Sequence, residues 1–203
     1  MNKNRQRGYA ATAVACIFIS GLALNAAADG AAPGWWKESS GDVFPLELRY
    51  PNAHGQIGIV SNKPVDTKGH PFFEPMGTNG RACVTCHQPA NSMSLSVDTV
   101  QQRWKDAGSR DPLFAMIDGA NCPNLKPEDE RSHSLLLKHG LFRVGMPWPP
   151  RDANGQPIKP EFSIEVVKDP AGCNVDAQYG IKSETPTVSV YRRPRMSANL
   201  RYV

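Results

Sequence analysis

The pattern of apolar and polar positions predicts a first helix in the middle of the chain. Val97, Val100 and Trp104 follow one another at i, i+3 and i+7, the spacing that places side chains on one face of a helix. Ser96 stands directly before this stripe and is a residue type that caps helix N-termini. We therefore expect a helix that begins after Ser96 and ends before Gly108.

A second helix is predicted to begin at Pro127, because proline is favoured in the first turn of a helix. The acidic residues at 128–130 suit the positive end of the helix dipole, and the leucines at 135–137 supply an apolar face. Gly140 is a residue type that ends helices, so we expect this helix to stop there.

Alternating apolar and polar residues predict short strands in the second half of the chain. Phe162–Val167 alternate in this way, and Thr187–Tyr191 form a second such run. We expect these two segments to pair as a small β-hairpin appendage at about residues 160–191. Leu141–Val144 is predicted as a further short strand, and residues 29–69 as an extended N-terminal arm.

The N-terminus has the pattern of a secretory signal peptide. Three basic residues among the first seven precede an apolar run from Tyr9 to Leu24, and three alanines lead to a predicted cleavage after Ala28. Residues 1–28 are therefore expected to direct export, and we predict a periplasmic protein. A retained transmembrane helix would need about 20 apolar residues, more than this run offers. A lipid anchor at Cys16 stays an alternative within the same export hypothesis.

The balance of charge gives little reason to expect a nucleic acid or a membrane as partner. Removal of the signal would leave 175 of the 203 residues, a length typical of one domain with its own core. The signal contains three of the 23 lysines and arginines and no acidic residue, so 20 basic and 19 acidic side chains would remain. With this near-neutral charge, we predict no nucleic-acid binding and no membrane span in the mature chain.

Residues 83–87, Cys-Val-Thr-Cys-His, match the attachment signature of c-type haem. In that signature the thiols of Cys83 and Cys86 form thioether bonds with the haem, and His87 is the proximal ligand of the iron. We therefore expect one covalent haem c and a mainly α, cytochrome c-like haem domain over residues 70–203, with long irregular loops. Arg81 is a candidate partner for a haem propionate, with a solvated side chain as the alternative.

A structural zinc site and a redox dithiol are the two alternatives to haem for the paired cysteines. A structural zinc site usually needs a second pair of cysteines or histidines at similar spacing, and the remaining cysteines stand alone. A redox dithiol is expected within a βαβ unit, whereas the residues around 83–87 are typical of loops. Haem attachment is therefore the favoured interpretation.

Cys122 and Cys173 are the only cysteines after the signal that lie outside the haem motif. In an oxidising compartment such thiols usually pair, so we predict a disulfide; two free buried thiols are the alternative. The 51-residue separation of the pair would stabilise the fold by about 4 kcal/mol in the chain-entropy model.

The sixth iron ligand decides between an electron carrier and a haem that meets peroxide. Met146 is the leading candidate, because it lies 59 residues after His87 in a Gly-Met-Pro sequence similar to the methionine turn of small class I cytochromes c. A core position for Met146 is the alternative, and an open sixth position stays possible on this reasoning. The weaker candidates are Met93, Met116, His133 and His139.

The chain from His70 onward resembles the dihaem cytochrome c peroxidase family. The resemblance rests on the His-Pro-Phe-Phe sequence at 70–73, the Gly-Thr-Asn-Gly-Arg sequence at 77–81, the haem motif, the segment 118–123, the segment 161–169 and the Tyr-Arg-Arg-Pro sequence at 191–194. It implies that this is the N-terminal haem domain, where the family reduces peroxide with electrons from a second haem. Only Cys83, Cys86 and His87 carry over residue by residue.

This sequence departs from the family pattern near its end. It reaches Val203 about where the family continues toward a second C-x-x-C-H, and it contains no second haem motif. We therefore expect a single-haem, exported c-type cytochrome that transfers electrons to a redox partner protein. The alternative is a peroxidatic haem domain, truncated or split from an enzyme, that acts on hydrogen peroxide and needs a second haem domain as partner.

Overall fold

The computed structural model describes residues 34–52 and 55–197. The predicted signal peptide at residues 1–28 lies outside the described residues, as does Cys16. None of the described helices is long and apolar enough to cross a membrane.

The prediction of a mainly α fold is wrong. Helices account for only 20% of the described residues and strands for 19%. Among the described residues there are two α-helices, α1 (Val97–Ala107) and α2 (Ser134–His139). Five short 3₁₀ turns cover Cys83–Thr85, Pro89–Asn91, Gly108–Arg110, Pro112–Phe114 and Glu130–His133. Two of these 3₁₀ turns begin with a proline, a residue that suits the first turn of a helix but not its interior.

Helix α1 confirms the prediction from the apolar stripe. The Ser96 side chain accepts a hydrogen bond from the backbone N–H of Thr99, and Val100 is fully buried. The helix ends at Gly108, whose φ of 59° is a conformation that favours glycine. Local signals of capping and spacing therefore located both ends of this element.

Helix α2 is shorter than predicted. Asp129 is extended, with φ −85° and ψ 116°, and its carboxylate caps a 3₁₀ turn by accepting from the Arg131 N–H. The α-helix begins only at Ser134 and ends at Gly140 as expected. The buried His133 ring explains why this turn is held in place, since its Nδ1 and Nε2 atoms each lie 2.9 Å from a backbone carbonyl oxygen.

Three antiparallel sheets of two strands each make up the described β structure. Strand β1 (Val43–Phe44) pairs with β4 (Val65–Asp66), and β2 (Glu47–Asn52) pairs with β3 (Gly55–Val60). Strand β5 (Phe142–Pro147) pairs with β6 (Thr187–Arg192), so that Met146 lies opposite Val188. The predicted N-terminal arm therefore contains two small sheets within residues 34–52 and 55–69.

The predicted hairpin is wrong in its pairing. A strand does form at 187–192, but its partner is β5 and not the segment 162–167, which is irregular. Phe162 is 66% and Val167 92% exposed, so the alternating pattern there does not correspond to one buried face. The register places residues 142–147 beside 187–192 across a long connection.

The haem motif lies between two apolar clusters. Val84 is buried in a cluster that contains Trp36, Leu48, Tyr50, Phe73 and Ala82. Cys86 packs against a second cluster, formed by Leu95, Val100, Leu113, Phe114, Leu136, Leu137 and Phe142. One short turn of chain is thus anchored in both cores, which limits the movement of its side chains.

Candidate haem-attachment site

The two motif cysteines are separated by a single 3₁₀ turn. The backbone N–H groups of Cys86 and His87 both donate to the Cys83 carbonyl oxygen, at 3.3 and 3.0 Å. The Val84 N–H donates to the Phe72 carbonyl at 3.0 Å, which ties the turn to the preceding segment. Both cysteines are half-buried and free of any disulfide. The turn therefore presents two available thiols and an imidazole from one compact segment.

The imidazole of His87 is oriented by a backbone carbonyl. Its Nδ1 atom lies 2.7 Å from the Met93 carbonyl oxygen and 3.1 Å from the Ser197 hydroxyl oxygen. A carbonyl oxygen only accepts hydrogen bonds, so Nδ1 carries a proton, and in the neutral ring the free lone pair is then on Nε2. A histidine that ligates a metal usually donates its other N–H in this way, which selects the tautomer and raises the basicity of the ligating nitrogen.

The loop that provides this carbonyl is strained. Ser92 and Met93 have φ values of 56° and 58°, in the left-handed region where side chains with a Cβ are disfavoured. The Ser197 hydroxyl and backbone N–H both donate to the Met93 carbonyl, at 3.1 and 3.3 Å. Strain of this kind persists where the surroundings hold it, and here it places the acceptor for His87.

Gln88 joins the motif to the N-terminal arm, a role that the sequence did not suggest. The side chain is fully buried. Its Oε1 accepts from the backbone N–H of Trp36 at 2.8 Å, and its Nε2 donates to the backbone carbonyls of Trp36, at 2.9 Å, and of Val84. Since Gln88 directly follows His87, these bonds hold the backbone of His87 against the core. A polar residue in a loop-like segment carries no periodic signal that could have shown this.

Arg81 is neither solvated nor free for a haem propionate. Its guanidinium donates to the Pro112 carbonyl at 2.6 Å and to the Leu113 carbonyl at 2.8 Å, and it forms an ion pair with Asp118. The structure therefore agrees neither with a propionate partner nor with a solvated side chain, and it gives Arg81 a structural role. Arg81 links the segment before Cys83 to the loop that contains Asp118.

The environment of Cys86 disfavours a redox dithiol. Burial raises the pKa of the Cys86 thiol to about 12, an effect that the Arg81 guanidinium partly opposes. Reactive cysteines of C-x-x-C oxidoreductases instead have lowered pKa values, which supply the nucleophilic thiolate. A thioether is uncharged, so a desolvated position of this kind suits a cysteine that is to be alkylated.

The described residues offer no conventional metal site. Within 34–52 and 55–197, no three His, Cys, Asp or Glu side chains converge to hold an ion. The zinc reading of the cysteine pair thus finds no further ligands there. Haem does not need a cluster of three protein ligands, because the porphyrin supplies most of the iron ligands and the protein adds a proximal histidine. The free cysteines and the oriented His87 fit the group that the motif indicates.

Met146 lies on strand β5 and not in the turn that its sequence context predicted. Its side chain is 44% exposed, and it lines a cavity of about 430 Å³ together with Ile117, Asp118, Arg143, Tyr179 and other residues. Its role as sixth ligand stays a hypothesis.

Among the weaker candidates, His133 is excluded by geometry. Both of its ring nitrogens lie 2.9 Å from backbone carbonyls, so neither is available to iron. Met93 provides its main-chain carbonyl to His87 Nδ1. Met116 is half-buried, and His139 is exposed at the end of α2.

Cys122 and Cys173 are joined by a disulfide, with their Cα atoms 5.6 Å apart. Next to the bond, the Asn174 side chain accepts from the Ser189 N–H at 2.7 Å and donates to the Ser189 carbonyl at 2.9 Å. The covalent link and these bonds together attach the loop around 173 to strand β6. The structure therefore disagrees with the alternative of two free thiols.

No family model matches this chain, and no curated protein or solved structure matches it either. The resemblance to the dihaem cytochrome c peroxidase family accordingly stays a prediction from the sequence.

Proposed function

We propose that the protein is an exported c-type cytochrome that holds one haem covalently and transfers electrons to a redox partner protein in the periplasm. The observation that carries this proposal is the orientation of His87. Its Nδ1 donates to the Met93 carbonyl at 2.7 Å, directly beside two free, half-buried cysteines in the spacing of the haem signature.

Each residue of the motif has a definite task in this proposal. Cys83 and Cys86 would hold the haem through thioether bonds, and the Nε2 atom of His87 would bind its iron. When bound, the haem supplies reversible one-electron chemistry. The Met93 carbonyl keeps His87 in the required tautomer, and the Gln88 bonds to Trp36 and Val84 hold the backbone at this position.

Intact mass of the protein, expressed together with a c-type haem maturation system, tests this function. We expect a mass increase of one haem that survives denaturation, and its loss in the Cys83→Ser/Cys86→Ser double variant. His87→Ala should keep the covalent adduct but change the ligand field of the iron in the absorption spectrum. His70→Ala is the matched control, because His70 is an exposed histidine outside the set of candidate iron ligands, and it should leave that spectrum unchanged. Purified protein without an adduct, or with one equivalent of zinc in its place, would overturn the proposal.

A second candidate function follows from the position of Met146. The residue lies on a paired strand and is 44% exposed, which favours an iron without Met146 as its sixth ligand. An iron without such a ligand is able to meet hydrogen peroxide, which would suit a peroxidatic haem domain that works with a second haem domain. A low-spin spectrum with a methionine–iron charge-transfer band, lost in Met146→Ala, supports the carrier. A high-spin ferric spectrum that changes on addition of peroxide supports the peroxidatic domain.

A further inference from the structure

The segment 193–197, which follows strand β6, crosses the loop that presents the Met93 carbonyl. The Ser94 hydroxyl donates to the Pro194 carbonyl at 2.6 Å, and the backbone N–H of Ser197 donates to the Met93 carbonyl at 3.3 Å. These bonds join positions that are 100 and 104 residues apart in the chain. They bring the half-buried Ser197 side chain to the haem motif.

The Ser197 hydroxyl oxygen lies 3.1 Å from both His87 Nδ1 and the Met93 carbonyl oxygen. A hydroxyl group has one proton and two acceptor lone pairs, whereas a carbonyl oxygen only accepts. The hydroxyl therefore donates to Met93 and turns its lone pairs toward Nδ1. The Nδ1 proton is then shared between the Met93 carbonyl at 2.7 Å and the Ser197 oxygen. Ser197 thus favours the neutral tautomer of His87 whose free lone pair is on Nε2.

Ser197 also lies at the boundary between His87 and a cavity of about 570 Å³. Met93 and Ser197 line this cavity, whereas His87 does not. Val60, which is 80% exposed, lines it as well, so the cavity is open to water. Without the Ser197 hydroxyl, water from the cavity would compete with the Met93 carbonyl for the Nδ1 proton.

From these contacts we propose that Ser197 is a positioning residue for the iron ligand, an inference that rests on the proposed function. Its hydroxyl fixes the Met93 carbonyl, completes the hydrogen bonding of the His87 N–H and keeps water away from it. Partners of this kind orient a metal-ligating histidine and raise the basicity of its ligating nitrogen. In the alternative, purely structural role, Ser197 only attaches the segment 193–197 to the loop.

Three variants separate the positioning role from the structural one. Ser197→Ala removes the hydroxyl but keeps the backbone N–H that donates to Met93. Ser197→Thr keeps a hydroxyl and should restore the behaviour of the wild type. Ser94→Ala is the matched control, because the Ser94 hydroxyl bonds the same segment, through the Pro194 carbonyl, and not the His87 ring.

The experiment uses the haem-loaded protein and these variants in the ferric form with cyanide bound opposite His87. Intact mass first establishes that haem is attached. Proton NMR then follows the hyperfine-shifted Nδ1 proton of His87 and measures its exchange with solvent. We expect exchange to become about tenfold faster in Ser197→Ala, since the net contribution of one hydrogen bond corresponds to a factor of this order. Ser197→Thr and Ser94→Ala should exchange at the wild-type rate.

The outcomes separate the two proposals. Wild-type protein without attached haem overturns the proposed function, and the Ser197 assignment falls with it. Haem-loaded wild type that exchanges as fast as Ser197→Ala overturns the Ser197 assignment alone. Equal acceleration in Ser94→Ala, or no recovery in Ser197→Thr, also contradicts it, because attachment of the segment would then be the cause. If Ser197→Ala does not accumulate, Ser197→Val is compared with Ser197→Thr, since the two side chains have the same shape and differ in the hydroxyl.

Discussion

Replacing Gln88 by leucine removes the polar connection between the haem motif and the N-terminal arm while nearly preserving side-chain volume. Gln88 is fully buried and Trp36 is 2% exposed, so water cannot substitute for the lost bonds. In the variant, the backbone N–H of Trp36 loses its acceptor, which lies at 2.8 Å, and the backbone carbonyls of Trp36 and Val84 lose their shared donor.

The expected loss of stability follows from these three bonds. A buried N–H left without a partner costs about 1–3 kcal/mol, and each carbonyl that loses a bond costs about 1 kcal/mol. We therefore expect Gln88→Leu to lower the free energy of unfolding by about 4 kcal/mol. That is a large part of the roughly 5–15 kcal/mol that stabilises a typical domain.

Urea unfolding of the purified protein, followed by far-ultraviolet circular dichroism, measures this loss. Gln102→Leu is the control, because Gln102 is exposed on α1 and its side chain donates only to Asp106, at 2.8 Å. We expect the control to change stability by less than about 0.5 kcal/mol. A loss below about 1 kcal/mol in Gln88→Leu, with an unchanged m value, would refute the reasoning that this network holds the motif.

Three further predictions use the same unfolding assay. The Cys122→Ala/Cys173→Ala variant should lose about 4 kcal/mol, because the bond closes a separation of 51 residues; a loss below about 1 kcal/mol would contradict the chain-entropy account. Burial raises the pKa of Tyr191 to about 12, so the unfolded chain loses this proton first, and stability should fall as the pH rises from about 10 to about 12. Tyr191→Phe should flatten that decline, and an unchanged slope would assign it to other groups. Ser92→Gly should raise stability by up to about 1 kcal/mol, since φ at Ser92 is 56°; equal or lower stability would show that the loop is not strained.

Helix α1 and the strand at 187–192 show what local sequence is able to predict. The helix depends on Ser96, an apolar stripe and Gly108, all within 13 residues, so both its ends follow from neighbouring positions. The strand was recognised from its alternation, but its partner was not. Pairing of β6 with β5 joins residues between 40 and 50 positions apart, and no local pattern chooses between 142–147 and 162–167 as the neighbour.

The expectation of a mainly α fold failed for a related reason. The second predicted helix has a proline start, acidic residues and a run of leucines, yet only residues 134–139 are α-helical. The contacts of the His133 ring with the Gly119 and Pro127 carbonyls accompany a 3₁₀ turn over 130–133 in its place. Those contacts arise only when distant loops meet, and they outweigh the weak preferences of single residues for the helix.

The amino-acid sequence by itself determined the candidate chemistry: the spacing of Cys83, Cys86 and His87 specifies a haem-attachment motif, because the covalent reaction needs those atoms within five residues. Only the tertiary structure decided the surroundings of that motif. The proton on His87 Nδ1 depends on a main-chain carbonyl at Met93, and any residue type would present the same atom. Hydrogen bonding and desolvation depend on which groups surround a side chain, and that is settled when the whole chain packs.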